Sequence, residues 1–394
     1  MTLAERIDAP GQKRLLTLDG GGIRGLITIE VLAHVEETLS AVYPRERWAG
    51  DDFRLSDYFD YVAGTSTGAI IATCVSLGMS VADIRRFYYA NGVAMFDKAS
   101  LLRRFRYKFE DHALSEKLRE VLDQHRPEAE RFDASGRERH LTLGTTALRT
   151  LLLVVMRNAT SDSPWPVSNN PRAMYNDRSR ADCNLDLPLW QLVRASTAAP
   201  VYFPPEEITL GTRSFLFVDG GITPYNNPSF LAFLMSTVGA YRLNWQTGAG
   251  NMLIVSIGTG TNPNANAGLA ADDMNLLYNA GTIPSALMFA ALNEQDMLCR
   301  AFSRCRHGSR LDAEVESMIL KADEEHRASL PRLFTYMRYN AELTRKGLDE
   351  LELADVVPAH VQALDSVEHM DDLTRVGQAV GRLQVRRAHF EGFV

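Results

Sequence analysis

Ser66, with Gly64 and Gly68 two positions away on either side, is the residue around which a chemistry can be built. It falls in the run Tyr58-Phe59-Asp60-Tyr61-Val62-Ala63-Gly64-Thr65-Ser66-Thr67-Gly68-Ala69-Ile70-Ile71-Ala72-Thr73. Residues 58–63 are aromatic and β-branched enough for a short buried strand, and the small residues of 69–73 suit a helix packed close to a sheet. A serine on the turn between them sits in a strained backbone conformation, and flanking glycines remove the clashes that side chains would create there. The spacing predicts a nucleophile elbow of Gly64, Thr65, Ser66, Thr67 and Gly68, with Ser66 as the attacking group. The helix that follows aims free N–H groups and the positive end of its dipole at the hydroxyl, favouring the alkoxide and the oxyanion of acyl transfer. A plain Gly/Ser/Thr turn ahead of a helix is the competing interpretation, so other residues have to decide.

A second strand, glycine turn and helix come earlier in the chain. Residues 14–19 are a short apolar strand, Gly20-Gly21-Gly22-Ile23-Arg24-Gly25 is the turn, and residues 26–39 carry helical spacing of apolar side chains. Successive glycines let backbone N–H groups converge on one point, making an anion nest at a helix N-terminus. Gly20, Gly22 and Gly25 also satisfy the dinucleotide fingerprint. That use needs a second strand ending in an acid, whereas the helix runs into Ala41-Val42-Tyr43-Pro44-Arg45-Glu46, which is not a strand. An oxyanion hole from the N–H groups of Gly21, Gly22 and their neighbours, set beside Ser66 by adjacent parallel strands, accounts for both turns.

A serine nucleophile needs a base. His34, His112, His125, His140, His307, His326, His360, His369 and His389 all lie in helices or charged connections, none at a strand end beside a glycine turn. A Ser-His-Asp triad therefore has little support. Residues 215–218 form a buried strand that delivers Asp219-Gly220-Gly221 at its end, the place where α/β sites gather. Asp219 is the candidate base of a Ser66–Asp219 dyad, with Gly220 and Gly221 supporting its turn.

These groups require an α/β succession to position them. Residues 151–156 are apolar on both faces and belong inside a parallel sheet, and residues 252–257 are a last strand ending in Gly258-Thr259-Gly260. Ser80 caps an amphipathic helix over 81–89, and a helix over 189–200 is ended by Pro200. From about residue 262 only helical periodicity is visible, over 282–305, 313–328, 340–351, 358–366 and 371–390, which predicts a helical lobe or cover. A chain of 394 residues is long enough for one large α/β domain with an appended lobe. With 42 basic against 49 acidic residues its net charge of −7 argues against a general nucleic-acid binder. Cys74, Cys183, Cys299 and Cys305 lack both a C-x-x-C pair and a zinc-ligand spacing, and read as reduced thiols in a cytosol. Residues 1–13 lack the apolar core of a signal peptide, so secretion by that route is not expected. The longest apolar runs stop short of the roughly 18 to 20 residues a membrane span needs, so any membrane contact is expected to be peripheral. Residues 101–109 interleave cations with apolar side chains, a pattern of lipid-interface segments but more simply of a solvated, half-packed loop.

Asp19-Gly20-Gly21-Gly22-Ile23-Arg24-Gly25, Gly64-Thr65-Ser66-Thr67-Gly68, Ala195-Ser196-Thr197-Ala198-Ala199-Pro200 with Phe203-Pro204-Pro205, and Asp219-Gly220-Gly221 resemble the four ordered blocks of patatin-like phospholipases. Ser256-Ile257-Gly258-Thr259-Gly260 is similar to a fifth, and the match spans roughly residues 14 to 260. The resemblance implies a three-layer α/β/α sandwich with a mostly parallel central sheet. The domain is expected over residues 14–262, with a helical extension over 263–394 packed on or covering it. It also implies that Ser66 is the nucleophile, that Asp219 is the base, and that the Gly20–Gly22 turn with Arg24 forms the oxyanion hole. Gly20, Gly21, Gly22, Ile23, Arg24 and Gly25 are therefore its candidate residues. The implied reaction is hydrolysis of lipid acyl esters, of the phospholipase A type, with no metal and no cofactor. The expected partner is a phospholipid or other acyl-lipid, met from the cytoplasm with peripheral contact at the inner membrane face; no nucleic acid is expected. An acyltransferase using the same dyad is one alternative. A non-catalytic lipid- or nucleotide-binding module is another, against which the intact Ser66 and Asp219 argue.

Overall fold

The computed structural model describes residues 2–96, 112–133, 135–200, 203–263, 276–320 and 330–394. The cationic stretch over 101–109 lies outside them. Among the described residues nine strands make one sheet: β1 (Lys13–Leu18), β2 (Tyr61–Thr65), β3 (Leu151–Asn158), β4 (Ser163–Ser168), β5 (Glu206–Leu210), β6 (Arg213–Asp219), β7 (Met252–Ile257), β8 (Ser303–His307) and β9 (Phe334–Tyr339). Their order is β5-β6-β3-β2-β1-β7-β9-β8, with β4 paired to β3. The run from β3 to β8 is parallel, whereas β4 and β6 are antiparallel to β3 and β5 is antiparallel to β6.

The helices that bear on the site are α1 (Gly25–Ser40), α2 (Thr67–Ser76), α3 (Val81–Phe96), α4 (Leu189–Ser196), α5 (Ser229–Thr237), α6 (Leu276–Ala301), α7 (Pro358–Gln362) and α8 (Met370–Gln384). Alternate residues of the central strands enter two apolar layers. Leu16, Val62, Leu152 and Val255 pack into one with α1, α2, α3, α4 and α8, while Leu15, Tyr61, Leu153 and Ile254 pack into the other with α5 and the end of α6. A sheet covered on both faces needs apolar side chains in both directions, which is why β3 and β7 read as continuous apolar runs.

The lengths of three strands set up the site. β2 pairs with Leu151 to Val155 of β3, and β6 pairs antiparallel with Met156 to Asn158. Because β4 takes the opposite edge of β3 from Leu153 onward, β6 docks on the same edge as β2, on the overhang beyond the end of β2. The carboxyl ends of β2 and β6 therefore meet head to head, with Thr65 opposite Val155 and Asp219 opposite Met156.

Beyond residue 262 the chain is not helical alone. β8 and β9 carry the sheet past β7, and α8 lies along α1 with Gly377 against Ile27 and Glu30 and Gly381 against His34. Phe334-Thr335-Tyr336-Met337-Arg338-Tyr339, between the expected helices over 313–328 and 340–351, is wholly buried and has the aromatic-rich composition of a strand. Ser303-Arg304-Cys305-Arg306-His307 lies at the sheet edge, where polar residues discourage further pairing and erase the period-2 apolar signal. Residues 313–320 form turns, and the expected helices over 340–351 and 358–366 shorten to Arg345–Glu350 and Pro358–Gln362. No helix among the described residues is long and apolar enough to cross a membrane.

Candidate active site

β2 ends at Thr65 and α2 begins at Thr67, so Ser66 alone makes the turn. Its φ of 55° and ψ of −126° lie where side chains are rarely accommodated, at a cost of about 1–3 kcal/mol. The crowding explains the glycines: a Cβ on Gly64 would stand 2.1 Å from the Gly68 carbonyl oxygen, and one on Gly68 would stand 2.2 Å from that of Leu18. The Ser66 N–H donates to Ser196 Oγ at 2.9 Å, and Ser196 Oγ donates at 2.6 Å to the carbonyl of Val155, the β3 residue opposite the end of β2. Thr65 Oγ1 donates to the Tyr225 carbonyl at 2.7 Å, and the Thr67 hydroxyl pairs with the Tyr88 hydroxyl at 2.6 Å.

Ser66 Oγ donates to Asp219 Oδ2 at 2.6 Å, and Asp219 Oδ1 accepts the Gly221 N–H at 2.6 Å. Both Ser66 and Asp219 are buried. Burial pushes the Asp219 carboxyl up to about 6, against the opposing pull of the hydrogen bonds from Ser66 and Gly221 and the charge of Arg194. Gly220 lies against the Val155 carbonyl, so the Asp219-Gly220-Gly221 turn is seated on the same overhang that receives Ser196. Among the described residues no histidine hydrogen-bonds to either side chain. A hydroxyl donating to a buried carboxylate is arranged for proton transfer in either direction.

The glycine turn lies alongside, since a Cβ on Gly20 would come 3.1 Å from Ser66 Cβ. Its amides divide. Gly20 N–H donates to the Asn226 carbonyl at 3.2 Å, Ile23 N–H to Leu364 at 3.0 Å, Arg24 N–H to Gly21 at 3.2 Å, and Gly25 N–H back to Gly22. The remaining two amides of the turn are those of Gly21 and Gly22. The Arg24 guanidinium reaches the Gln362 carbonyl at 3.2 Å, and the Thr259 hydroxyl holds the Gly20 carbonyl at 3.0 Å. Behind the turn Asp19 receives both terminal nitrogens of Arg338, one at 3.1 Å, and Arg338 also donates to Ser256 Oγ at 2.6 Å. Burial raises the Asp19 carboxyl and the Arg338 charge opposes the rise.

Ser66 and Asp219, chosen from sequence, are thus in contact, and the Gly20–Gly25 turn is their neighbour. Sequence reasoning assigned no role to Ser196, although it stands in a quoted motif, nor to Asn226 and Thr259 behind the glycines. Arg338 carried no local signal at all, because its partner Asp19 is 319 positions away. Among the described residues no group of three metal-ligating side chains gathers at the two turns; the cluster that does exist is His360, His369 and Asp372.

A strained serine at a strand-to-helix turn, hydrogen-bonded to a buried carboxylate, thus stands at the carboxyl end of a strand in a mostly parallel sheet. The family model described as patatin-like phospholipase matches residues 16–233, more than half of the sequence, and the chain belongs to that family. It is 28% identical over 286 residues to patatin-like protein 1 of Oryza sativa subsp. indica, a match covering 66% of this chain and 61% of that protein. It is 26% identical over 270 residues to patatin-15 of Solanum tuberosum, covering 63% and 60%. The chain spans about three fifths of the length of these curated relatives. Among solved structures, VipD from Legionella pneumophila is similar at 16% identity and a TM-score of 0.35, covering 93% of this chain and 67% of that one.

Proposed function

We propose that the chain is a lipid acyl hydrolase of the phospholipase A type that works through an acyl-enzyme on Ser66. The observation that carries this reading is the 2.6 Å hydrogen bond from Ser66 Oγ to the buried Asp219, made on an elbow that only this serine occupies. With its carboxyl at about 6, Asp219 is mostly ionised at neutral pH and is a competent base. It takes the Ser66 proton as Oγ attacks the ester carbonyl carbon. The oxyanion of the tetrahedral intermediate is held by the Gly21 and Gly22 amides. Collapse breaks the bond to the leaving alkoxide, which receives the proton from Asp219 and departs as the lysolipid alcohol. Water then attacks the acyl-enzyme, giving its proton to Asp219, and the fatty acid leaves as the proton returns to Ser66.

Membership of the patatin-like phospholipase family supports a lipid substrate. So does Met288 of α6, an apolar side chain that lies close to Gly221 beside the dyad. An apolar side chain beside a reacting carbonyl suits an acyl chain. The test is labelling with a fluorophosphonate and assay on a soluble short-chain ester and on phospholipid vesicles. Wild-type protein is expected to label at Ser66 and to release free fatty acid with lysophospholipid. Ser66→Ala should lose label and hydrolysis together while keeping its fold. Hydrolysis retained by a pure Ser66→Ala sample would end the acyl-enzyme reading.

A further inference from the structure

The glycine turn is crossed by a strap from the far end of the sequence. The strap begins in α7 and ends in the short 3-10 turn Val367–His369 that leads into α8. Between these, the Leu364 carbonyl accepts the Ile23 N–H at 3.0 Å, and the Gln362 carbonyl accepts Arg24 Nη1 at 3.2 Å. Gln362 Nε2 in turn donates to the Leu343 carbonyl at 2.8 Å. The strap therefore decides which amides of the turn remain free.

His360 and His369 stand at the two feet of this strap, and their rings stack with centroids 3.6 Å apart and planes 4° from parallel. His360 Nδ1 lies 3.2 Å from Asp372 Oδ2, in the first turn of α8. One nitrogen of each imidazole and one carboxylate oxygen of Asp372 all fall within 4.8 Å of one another, at half-buried positions open to solution. We propose that His360, His369 and Asp372 form a site for a zinc-class divalent cation, which clips the feet of the strap together and so holds the glycine turn in shape.

The donor set argues for the cation's class. Two imidazole nitrogens and one carboxylate oxygen suit zinc, cobalt or nickel, whereas magnesium and calcium favour all-oxygen sets. Two ligand atoms each about 2.0–2.1 Å from a shared tetrahedral ion stand a little over 3 Å apart, and the His360–Asp372 pair already has that spacing. His369 completes the set by tilting out of the stack so that its lone pair meets the same point. The fourth position is left to water. The nearby cation is Arg375, whose guanidinium is countered by Asp355 at 2.8 and 2.9 Å and touches Asp372 only through Oδ1, at 3.5 Å. Oδ2 stays on the histidine side.

Such an ion takes no part in the chemistry at Ser66; it acts through the strap. Its binding stands independently of the proposed hydrolysis, and only its effect on turnover rests on that reading. The experiment uses the untagged full chain, stripped with chelator and titrated with zinc and, for its visible absorption, with cobalt. About one ion per chain is expected. His369→Ala and His360→Ala should each weaken binding by roughly tenfold to a hundredfold or more, and Ser66→Ala should bind like the wild type. The second readout is hydrogen exchange at the Ile23 amide, expected to slow when metal is added to the wild type and not when it is added to His369→Ala. Absence of near-stoichiometric binding, or equal affinity in both histidine variants, overturns the site. Metal binding that leaves Ile23 exchange unchanged overturns the clip.

Discussion

The two turns that meet at the site each pivot on a residue of positive φ, but the residue differs. Gly22 has φ of +58° and Ser66 has φ of +55°. In the first turn the left-handed position is filled by glycine, which occupies it without strain; in the second it is filled by serine, which does not. Their supports differ too. Ser66 is braced by Ser196, Val155 and the Thr67–Tyr88 pair, all within the family-matched part of the chain. The glycine turn is braced by Asn226 within that part and by Thr259, Arg338, Gln362 and Leu364 beyond it. The proposed nucleophile is thus carried by an elbow braced from within the family-matched part, and the amides beside it by a turn whose shape depends also on residues beyond that part.

The contrast is broken most severely by removing the base. Asp219→Asn keeps the size of the side chain and an acceptor for Gly221 but removes the ionised oxygen facing Ser66. Turnover on a soluble ester is expected to fall by roughly 10⁴-fold, while each of the nine histidines should be replaceable by Gln without such a loss. On the proposed mechanism the active form is the ionised carboxylate. With the group at about 6, activity should rise with pH through that value and level off above it. A histidine variant that silences a folded enzyme, beside an active Asp219→Asn, would overturn the dyad.

The glycine turn should respond more mildly. A Cβ on Gly21 would overlap the Thr259 side chain, its nearest atom 2.1 Å away, so Gly21→Ala must displace the turn from Thr259. If the Gly21 and Gly22 amides stabilise the oxyanion, kcat should drop by roughly 10²- to 10³-fold with KM little changed. A change confined to KM would instead give the turn a role in holding the ground-state headgroup.

The same contrast explains what was legible beforehand. The elbow is local: strand, glycines, serine and helix all fall within sixteen consecutive residues, and the covering helices make β1, β2, β3 and β7 apolar on both faces. Asp219 could be found because strand ends gather sites and because no histidine stood in such a place. The braces of the glycine turn were not legible. Arg338 sits in a strand that fell in the gap between two expected helices, and Leu364 contributes only a backbone carbonyl, which any residue carries. Ser196 was visible as part of a motif, but its double hydrogen bond depends on β3 outrunning β2, a matter of strand length that sequence marks poorly.

The smallest expected effect concerns stability, and it has opposite signs at the two pivots. Ser66→Ala and Ser66→Gly both remove the hydrogen bond to Asp219 and both abolish the proposed turnover, so their difference isolates the backbone. Alanine keeps a side chain at φ 55°, ψ −126°, whereas glycine releases a strain of about 1–3 kcal/mol. Against this, glycine carries an extra unfolded-state entropy of roughly 0.5–1 kcal/mol. Ser66→Gly should therefore be more stable than Ser66→Ala by about 1 kcal/mol, read as a higher midpoint in urea with an unchanged slope. At Gly22 the order reverses, because an alanine there takes on the left-handed φ and places its Cβ 2.2 Å from the Leu364 carbonyl oxygen. Gly22→Ala should be less stable than the wild type and should loosen the strap. If Ser66→Gly proves no more stable than Ser66→Ala, the serine is not strained, and the elbow holds its nucleophile by sequence identity alone rather than against a conformational cost.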